Sequence, residues 1–121
     1  MIYARQPEDL HELFKAGVNN KDIDGLVALY ESDSLTMDLE GNRVEGEEAL
    51  RAMLTGLVSA IDHMEGTTRK VIVHGDYALL SATFSGKPAG SPGEVTGSSG
   101  EVARRQPDGT WRFLIDDPAF G

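Results

Sequence analysis

The apolar residues of this 121-residue chain follow a helical period in three segments and strand-like patterns in the rest of the chain. Leu10, Leu13 and Phe14 begin the first helical stripe, and two further stripes lie in residues 22–30 and 47–61. Such stripes indicate amphipathic helices, each of which must cover an apolar surface. The three helices are therefore expected to pack against the segments that form strands.

The predicted strands are separated by residues that favour turns. Residues 34–39 alternate and precede a turn at Gly41-Asn42, after which residues 43–45 predict a short return strand. Four longer strands are predicted in the second half of the chain, at residues 67–74, 77–85, 94–106 and 111–116. Residues 86–93 contain two Pro and three Gly, which is typical of a loop at a hairpin tip. Helices gathered at one end of an antiparallel sheet predict a single α+β domain over residues 1–121.

The composition excludes several classes of partner and site. The chain has 20 acidic and 11 basic residues, and its formal net charge of −9 would repel a phosphate backbone, so no nucleic-acid partner is expected. It has no Cys, which excludes disulfides, thiolate metal sites and Cys nucleophiles. The first ten residues lack the apolar segment of a signal peptide, and no apolar run is long enough to span a membrane. A cytoplasmic protein without membrane contact is the simplest expectation.

Four segments, in the same order along the chain, resemble motifs of the SnoaL-like group and its relative, ketosteroid isomerase. Residues 19–30 are similar to an N-x-x-D-x-D helix that ends in Leu-Tyr, and residues 31–41 resemble the first strand of the family. Residues 46–51 are similar to a G-x-x-A-I-R motif, and residues 107–112 to a D-G-x-W-(K/R) hairpin. The resemblance implies the nuclear transport factor 2-like, or cystatin-like, fold. In that fold a cone-shaped, curved antiparallel sheet and three N-terminal helices surround an apolar pocket.

The resemblance also implies partners and catalytic positions. Many relatives are homodimers through the outer sheet face, so a homodimer that binds a small apolar ligand is expected. Ketosteroid isomerase uses an Asp base together with a Tyr and a protonated Asp that hold the developing oxyanion. In this sequence Asp38 matches the position of the base, Glu101 that of the protonated acid and Phe14 that of the Tyr. Because Phe cannot donate a hydrogen bond, one oxyanion donor is missing from its usual place, and such a loss typically lowers the rate on the order of a hundredfold or more.

Each of these residues also has a structural interpretation. Asp38 can open the turn at Gly41-Asn42, and Glu101 can be a surface charge that pairs with Arg104. Gly97 and Gly100, just before Glu101, are compatible with a bulge or with a strand that a ligand approaches closely. Both alternatives remain open at the level of sequence.

Four further residues are predicted to line the pocket: Tyr30, Met53, His63 and Asp116. His63 is the His considered for acid–base chemistry, with a cation at the end of the third helix as its alternative role. His11 and His74 are expected to be exposed. The three His residues lack metal-ligand spacing, and phosphate-binding glycine motifs are absent, so neither a metal nor a cofactor is expected.

Two classes of function follow from these residues. The first is an isomerase, cyclase or dehydratase that acts on an apolar carbonyl compound, with Asp38 as the base and Glu101 as a second acid. The second is a ligand-binding or dimeric interaction module without catalysis, such as an adaptor that binds protein through an exposed apolar patch. A buried carboxylate with a raised pKa would favour the enzyme.

Overall fold

In the computed structural model, which describes residues 3–121, three helices pack on one face of a curved, unclosed sheet of seven strands. The helices are α1 (Asp9–Asn19), α2 (Ile23–Val27) and α3 (Glu47–Ala60). The strands are β1 (Tyr30–Met37), β2 (Arg43–Glu45), β3 (Ile61–His74), β4 (Tyr77–Pro88), β5 (Val95–Ser98), β6 (Gly100–Arg105) and β7 (Trp111–Asp117). The predicted α+β class is confirmed, whereas the boundaries of one domain at residues 1–121 stay a prediction, since residues 1 and 2 lie outside the described part.

The sheet is mixed, which differs from the wholly antiparallel sheet expected from the sequence. Its strand order is β2-β1-β7-β6-β4-β3, with β5 paired to β4, and β1 runs parallel to β7. A short turn joins each antiparallel hairpin and fixes its direction, but 73 residues (38–110) separate β1 from β7, so their relative direction is set by the whole fold. As a result β7 lies in the middle of the sheet, between β1 and β6.

Two element boundaries differ from the prediction. Helix α2 ends at Val27 and Tyr30 already begins β1, because Phe113 N–H donates to the Leu29 carbonyl at 2.7 Å and draws this segment into the sheet. Strand β3 begins at Ile61, immediately after α3, six residues earlier than predicted. Its first residues pair with the far end of β4, which extends β4 to Pro88 and shortens the predicted loop.

The core lies between the helices and the inner face of the sheet. Leu10, Val18, Leu26 and Leu54 are completely buried there, and Val58 and Trp111 are buried as well. Burial of each large aliphatic side chain stabilises the fold by roughly 1.5–3 kcal/mol. Leu54, Val58 and Trp111 match the predicted core, whereas Phe14 packs against the core and remains partly exposed.

Residues 19–22, at the end of α1 and before α2, form hydrogen bonds that connect the helices to one another and to β3. The side chain of Asn19 accepts from Met64 N–H at 2.7 Å and donates to the Met64 carbonyl at 2.9 Å, which ties the end of α1 to β3. Lys21 Nζ donates to the Val58 and Ile61 carbonyls at the end of α3, where a cation is favoured by the helix dipole. Asp22 caps α2 by accepting from Gly25 N–H.

The two strand glycines near Glu101 lie beneath aromatic rings of the chain itself. A Cβ atom on Gly97 would come within 2.8 Å of the Phe84 ring, and one on Gly100 within 2.6 Å of the Phe120 ring. The register irregularity of β6 lies instead between Val102 and Ala103. Packing of these rings therefore explains both glycines, without a bulge at these positions and without a ligand.

Candidate functional site

Four side chains in register cross the inner face of the sheet. Three of them are polar, in contrast to the apolar core beside them. Thr36 on β1 is in register with Asp116 on β7, Asp116 with Glu101 on β6, and Glu101 with Leu80 on β4. Residues paired in this way project from the same face of a sheet. We call these four residues the inner row. Its two carboxylates are neighbours on adjacent strands, in the middle of the sheet.

Asp116 is held by the first residue of β1. The Tyr30 hydroxyl donates to Asp116 Oδ2 at 2.7 Å, and Tyr30 itself is only 3% exposed. Burial, and next the negative charge of Asp116, raise the pKa of Tyr30 well above 10. Tyr30 is therefore a neutral hydrogen-bond donor around neutral pH.

Glu101 has a different partner, which comes from α1. His11 Nε2 lies 2.5 Å from Glu101 Oε1, and the side chains of the two residues are 10% and 3% exposed. When His11 Nε2 carries the ring proton, it donates to the Glu101 carboxylate. His11 Nδ1 lies 2.7 Å from the Thr68 hydroxyl on β3, which can donate to a neutral ring or accept from a charged one. The contact with Thr68 thus fixes the orientation of the imidazole toward Glu101.

The ring of Phe113 contributes the apolar surroundings of these pairs. Its centroid lies 5.1 Å from that of Tyr30 and 6.5 Å from that of His11. An apolar ring beside charged groups limits their hydration and so strengthens the interactions between them. Two carboxylates, one imidazole and one phenol therefore share a site with little water around it.

This environment makes Asp116 the carboxyl group with the most perturbed pKa. Burial and, next, the charge of Glu101 raise the pKa of Asp116 from 3.8 to about 7, although the Tyr30 hydrogen bond and His11 act in the opposite direction. A carboxyl group with a pKa near neutrality exists in both protonation states at physiological pH. Such a group can accept and return a proton, which is the requirement for acid–base catalysis.

Asp38 lies apart from this cluster, in the turn that joins β1 and β2. Its carboxylate accepts from the backbone N–H groups of Asn42 at 2.8 Å and Glu40 at 3.0 Å, and from the Asn42 side chain at 3.1 Å. These hydrogen bonds, with that of the Asn42 N–H the largest, lower the pKa of Asp38. The geometry is that of a turn-capping residue, as in the structural alternative considered above.

The structure places the remaining predicted site residues in three environments. Tyr30, Glu101 and Asp116 lie together in the cluster just described. Phe14 and Met53 are partly buried and pack against the core from α1 and α3. His63 is exposed on β3, where Nε2 lies 2.6 Å from Glu65 Oε1.

The two surface depressions described for residues 3–121 lie outside the predicted central pocket. The larger, of about 620 Å³, lies between the start of α1 and β3, and Thr68, the partner of His11, is among its lining residues. The smaller, of about 470 Å³, lies at the turns around Asp76 and Pro107. None of the predicted pocket residues lines either depression, so a pocket between the helices and the sheet stays a prediction.

His11 is the site residue that the sequence prediction missed. It was expected to be exposed, which is wrong: its side chain points inward to Glu101. The sequence contains a signal for this, because His11 precedes Phe14 by three residues and Val18 by seven, and these spacings lie on one helical face. A polar residue on the edge of an apolar stripe is buried when the facing strand offers a partner, and here Glu101 does so.

None of the helices within residues 3–121 is long and apolar enough to cross a membrane. Comparison with known families finds that a sequence model described as a SnoaL-like domain matches residues 10–117. No curated protein matches the chain at a significant level.

Solved structures with the same fold cover nearly the whole chain. One is a provisionally assigned calcium/calmodulin-dependent protein kinase type II association domain from Thiobacillus denitrificans, with a TM-score of 0.80, 16% identity and 98% of each chain covered. Another is a provisionally assigned dehydratase of the NTF2-like family from Streptomyces avermitilis, with a TM-score of 0.74, 16% identity and 93% of each chain covered.

A third is a hypothetical protein with a ketosteroid isomerase-like fold from Catenulispora acidiphila, in complex with trimethylamine. Its TM-score is 0.70 at 17% identity, over 93% of this chain and 85% of that chain. At these identities the likeness shows the fold alone.

Proposed function

This chain belongs to the SnoaL-like domain family, and on that premise we propose that it is an acid–base enzyme that acts on a small, apolar carbonyl compound, with Asp116 as the proton-transfer group. Support comes from one arrangement, the neighbouring carboxyl groups of Asp116 and Glu101 in the inner row. Each has a different partner, Tyr30 for Asp116 and His11 for Glu101. Two acids in unlike surroundings can take unlike roles in a proton transfer.

In this proposal Asp116 replaces Asp38 as the base. The Asp38 carboxylate is engaged by three N–H groups of its own turn, and its pKa is lowered, so it is a weaker base. Asp116 has one hydrogen bond from Tyr30, and burial first, then the charge of Glu101, raise its pKa to about 7. A base is most effective when its pKa lies near the working pH.

The reaction would begin when the Asp116 carboxylate removes a proton from the carbon beside the carbonyl group. The electron pair of the broken C–H bond forms a C=C bond, and the carbonyl electrons move to oxygen as an enolate. When a C=C bond adjoins the enolate, return of the proton from Asp116 to its far carbon restores the carbonyl group and completes an isomerisation. When the next carbon carries a hydroxyl group, the enolate restores the carbonyl as the C–O bond breaks, and the hydroxyl takes the proton from Asp116 and leaves as water, which completes a dehydration. The Streptomyces avermitilis structure with its provisional assignment as a dehydratase is in keeping with this class of reaction.

A second candidate function is ligand binding without turnover. One related structure holds trimethylamine, so the fold accommodates a small organic molecule in that protein. In this chain the inner row has two carboxyl groups beside one imidazole, that of His11. A cationic ligand would balance the excess negative charge. The two functions differ in one result, which is chemical change of the ligand.

We also propose that the protein is a homodimer that forms through the outer face of the sheet. Apolar residues in register cross that face from β1 to β3: Leu35, Ile115, Val102, Leu79 and Ile72. We call them the outer row. Three of its members, Ile115, Leu79 and Ile72, are exposed. An apolar band of this kind on a surface is typical of a protein–protein interface.

Exchange of α-hydrogen for deuterium in a ketone tests the enzyme proposal, because removal of the proton is its first step. Cyclohexanone and other enolisable ketones are incubated with the protein in deuterium oxide, and proton NMR follows the signal of the α-hydrogens. Asp116→Asn keeps the shape of the side chain and removes the base, so the exchange rate is expected to fall by roughly a hundredfold or more. Asp117→Asn is the matched control, since Asp117 holds the following turn through Ala119 N–H and should leave the rate close to that of the wild type.

Asp38→Asn distinguishes the two carboxylates that are candidates for the base. If Asp116 is the base, this variant retains exchange, whereas loss of exchange in Asp38→Asn alone would return the role to Asp38. If wild-type protein binds a ketone, as seen by perturbed amide signals, but exchanges none of its α-hydrogens, ligand binding becomes the favoured function.

A further inference from the structure

Thr36 is the polar member of the inner row whose hydroxyl is without a partner among the described residues. The side chain is only 1% exposed, and Oγ1 is buried without a hydrogen bond. A buried hydroxyl in this condition typically lowers stability by about 1–3 kcal/mol. Val has nearly the same shape and would avoid this loss, so the hydroxyl has no evident role in holding the fold.

The other polar groups around Thr36 are already occupied. Tyr30 donates to Asp116, and His11 bridges Glu101 and Thr68. Asp116 acts as the base in this proposal, and its ionised carboxylate cannot donate a hydrogen bond, while Glu101 is already paired with His11. Thr36 is the donor in the inner row that remains available for a ligand.

From this placement we propose that the Thr36 hydroxyl donates a hydrogen bond to the carbonyl oxygen of the substrate while Asp116 removes the neighbouring proton. The inference rests on the proposed function and adds a residue that positions the substrate and determines its class. Thr36 and Asp116 are in register on adjacent strands, which lie about 4.8 Å apart. A carbonyl oxygen and the hydrogen on the adjacent carbon can therefore contact the two side chains at the same time.

Asp116 is partly exposed, so a ligand that reaches its carboxylate lies within one strand spacing of Thr36. The substrate class follows from this pair of groups: a ketone or enone with a hydrogen on the carbon next to the carbonyl. An alcohol or an alkane lacks either the acidic hydrogen or the accepting oxygen, and neither is expected to react.

The first experiment compares the stability of Thr36→Val and Thr36→Ser with that of the wild type by urea denaturation without ligand. If the hydroxyl is reserved for a substrate, Thr36→Val removes an unpaired buried group, and its urea midpoint is expected to rise above that of the wild type. A urea midpoint of Thr36→Val below the wild-type value would show that the hydroxyl stabilises the fold, and would overturn the inference. Thr36→Ser keeps the hydroxyl and loses a methyl group, so its midpoint is expected to fall.

The second experiment measures α-hydrogen exchange in cyclohexanone with the same proteins. Thr36→Val is expected to lower kcat about a hundredfold, because the donor acts mainly on the developing oxyanion, with a smaller change in KM. Thr36→Ser should restore most of the rate, a rescue that depends on the hydroxyl and not on stability. Equal rates in Thr36→Val and the wild type would overturn the inference while leaving Asp116 as the base.

Failure of the proposed function gives a different pattern. If the wild type exchanges no ketone hydrogens, the contact of Thr36 with the carbonyl oxygen is tested by binding. The affinity for cyclohexanone is then measured from changes in amide chemical shifts. Weaker binding by Thr36→Val than by Thr36→Ser then supports the contact with the carbonyl oxygen. Equal binding by the two variants, or no binding by the wild type, overturns it.

Discussion

The two carboxyl groups of the inner row differ in the charge of their partners. Glu101 contacts His11, which can carry a positive charge, while Asp116 contacts the neutral hydroxyl of Tyr30. A charged partner stabilises the ionised form of an acid more than a neutral one does. The pKa of Asp116 is raised to about 7, by burial first and by the charge of Glu101 second.

The raised pKa of Asp116 predicts how the stability of the protein changes with pH. The folded value of about 7 lies above the ordinary value of 3.8, so between these values the folded state binds the proton more tightly than the unfolded chain. The stabilisation is complete below the ordinary pKa and is lost as the pH rises through the folded value, with a slope of at most about 1.4 kcal/mol per pH unit. Urea denaturation between about pH 5 and pH 8 measures this slope.

Asp116→Asn provides the comparison, because other groups titrate in the same range. The variant keeps an uncharged side chain at every pH, so its free energy of unfolding should depend less on pH than that of the wild type. The difference between the two curves isolates the contribution of Asp116. Parallel curves would mean that Asp116 is ionised over the whole range and that its pKa is not raised.

At the scale of single residues, the sequence identified part of the cluster. The resemblance led to Glu101, and Tyr30 and Asp116 were predicted to face a pocket; the structure brings the three together. His11 was misplaced because a helical pattern alone does not reveal that a carboxylate lies opposite. The orphaned hydroxyl of Thr36 was not predicted either, since hydrogen bonding between strands distant in sequence depends on register.

The segments that resemble the family motifs hold the secondary-structure elements in place. Asp22 caps α2, and Asp24 accepts from Arg51 at 2.7 Å, which joins α2 to α3. Asp38 caps the turn between β1 and β2, and Asp108 accepts from the N–H and hydroxyl of Thr110 in the last hairpin. These four acidic residues of the motifs thus have local structural roles, which explains why the motifs indicate the fold better than the chemistry.

Asn19 is predicted to stabilise the junction of α1 and β3. Asn19→Ala would leave the N–H and carbonyl of Met64 without the side-chain amide that now pairs with both. The free energy of unfolding is expected to fall by about 1–3 kcal/mol, because both backbone groups are partly buried. Urea denaturation measures the change.

Asn20→Ala is the matched control for this junction. Asn20 is exposed, and the hydrogen bond recorded for it uses its backbone N–H. The control should therefore stay within about 0.5 kcal/mol of the wild type. Equal destabilisation by the two variants would mean that the pairing with Met64 contributes nothing and that helix propensity explains both.

The order of helices and strands could be predicted from periodicity, but strand partners could not. Local patterns predicted the three helices and the turn at Gly41-Asn42, since each depends on neighbouring residues. The parallel pairing of β1 with β7 depends on contacts between strands that lie far apart in the sequence. The early start of β3 has the same origin, because residues 61–66 become a strand by pairing with β4.

At the scale of the molecule, the outer row predicts the effect of a charge on assembly. Leu79 lies near the start of β4 and is 53% exposed, with Ile72 and Val102 in register on either side. Leu79→Glu would place two charges in a symmetric interface, so the dimer is expected to dissociate into chains of 13.1 kDa. Sedimentation equilibrium at micromolar concentrations measures the mass.

Leu39→Glu is the control for this variant. Leu39 is 64% exposed but lies in the turn after β1, away from the outer row. This variant should keep the mass of the wild type. A wild-type protein that sediments as a single chain at all concentrations would contradict the predicted dimer, and a dimer that persists in Leu79→Glu would place the interface elsewhere.

The central position of β7 has a consequence for the synthesis of the protein. While the chain grows on a ribosome, β1 and β6 emerge first, and the strand that must lie between them follows last. Contacts between residues so far apart in sequence form slowly. Tyr30 and Thr36 are therefore translated 80 or more residues before Asp116 can join them, and the site cannot exist on the nascent chain until β7 has left the exit tunnel.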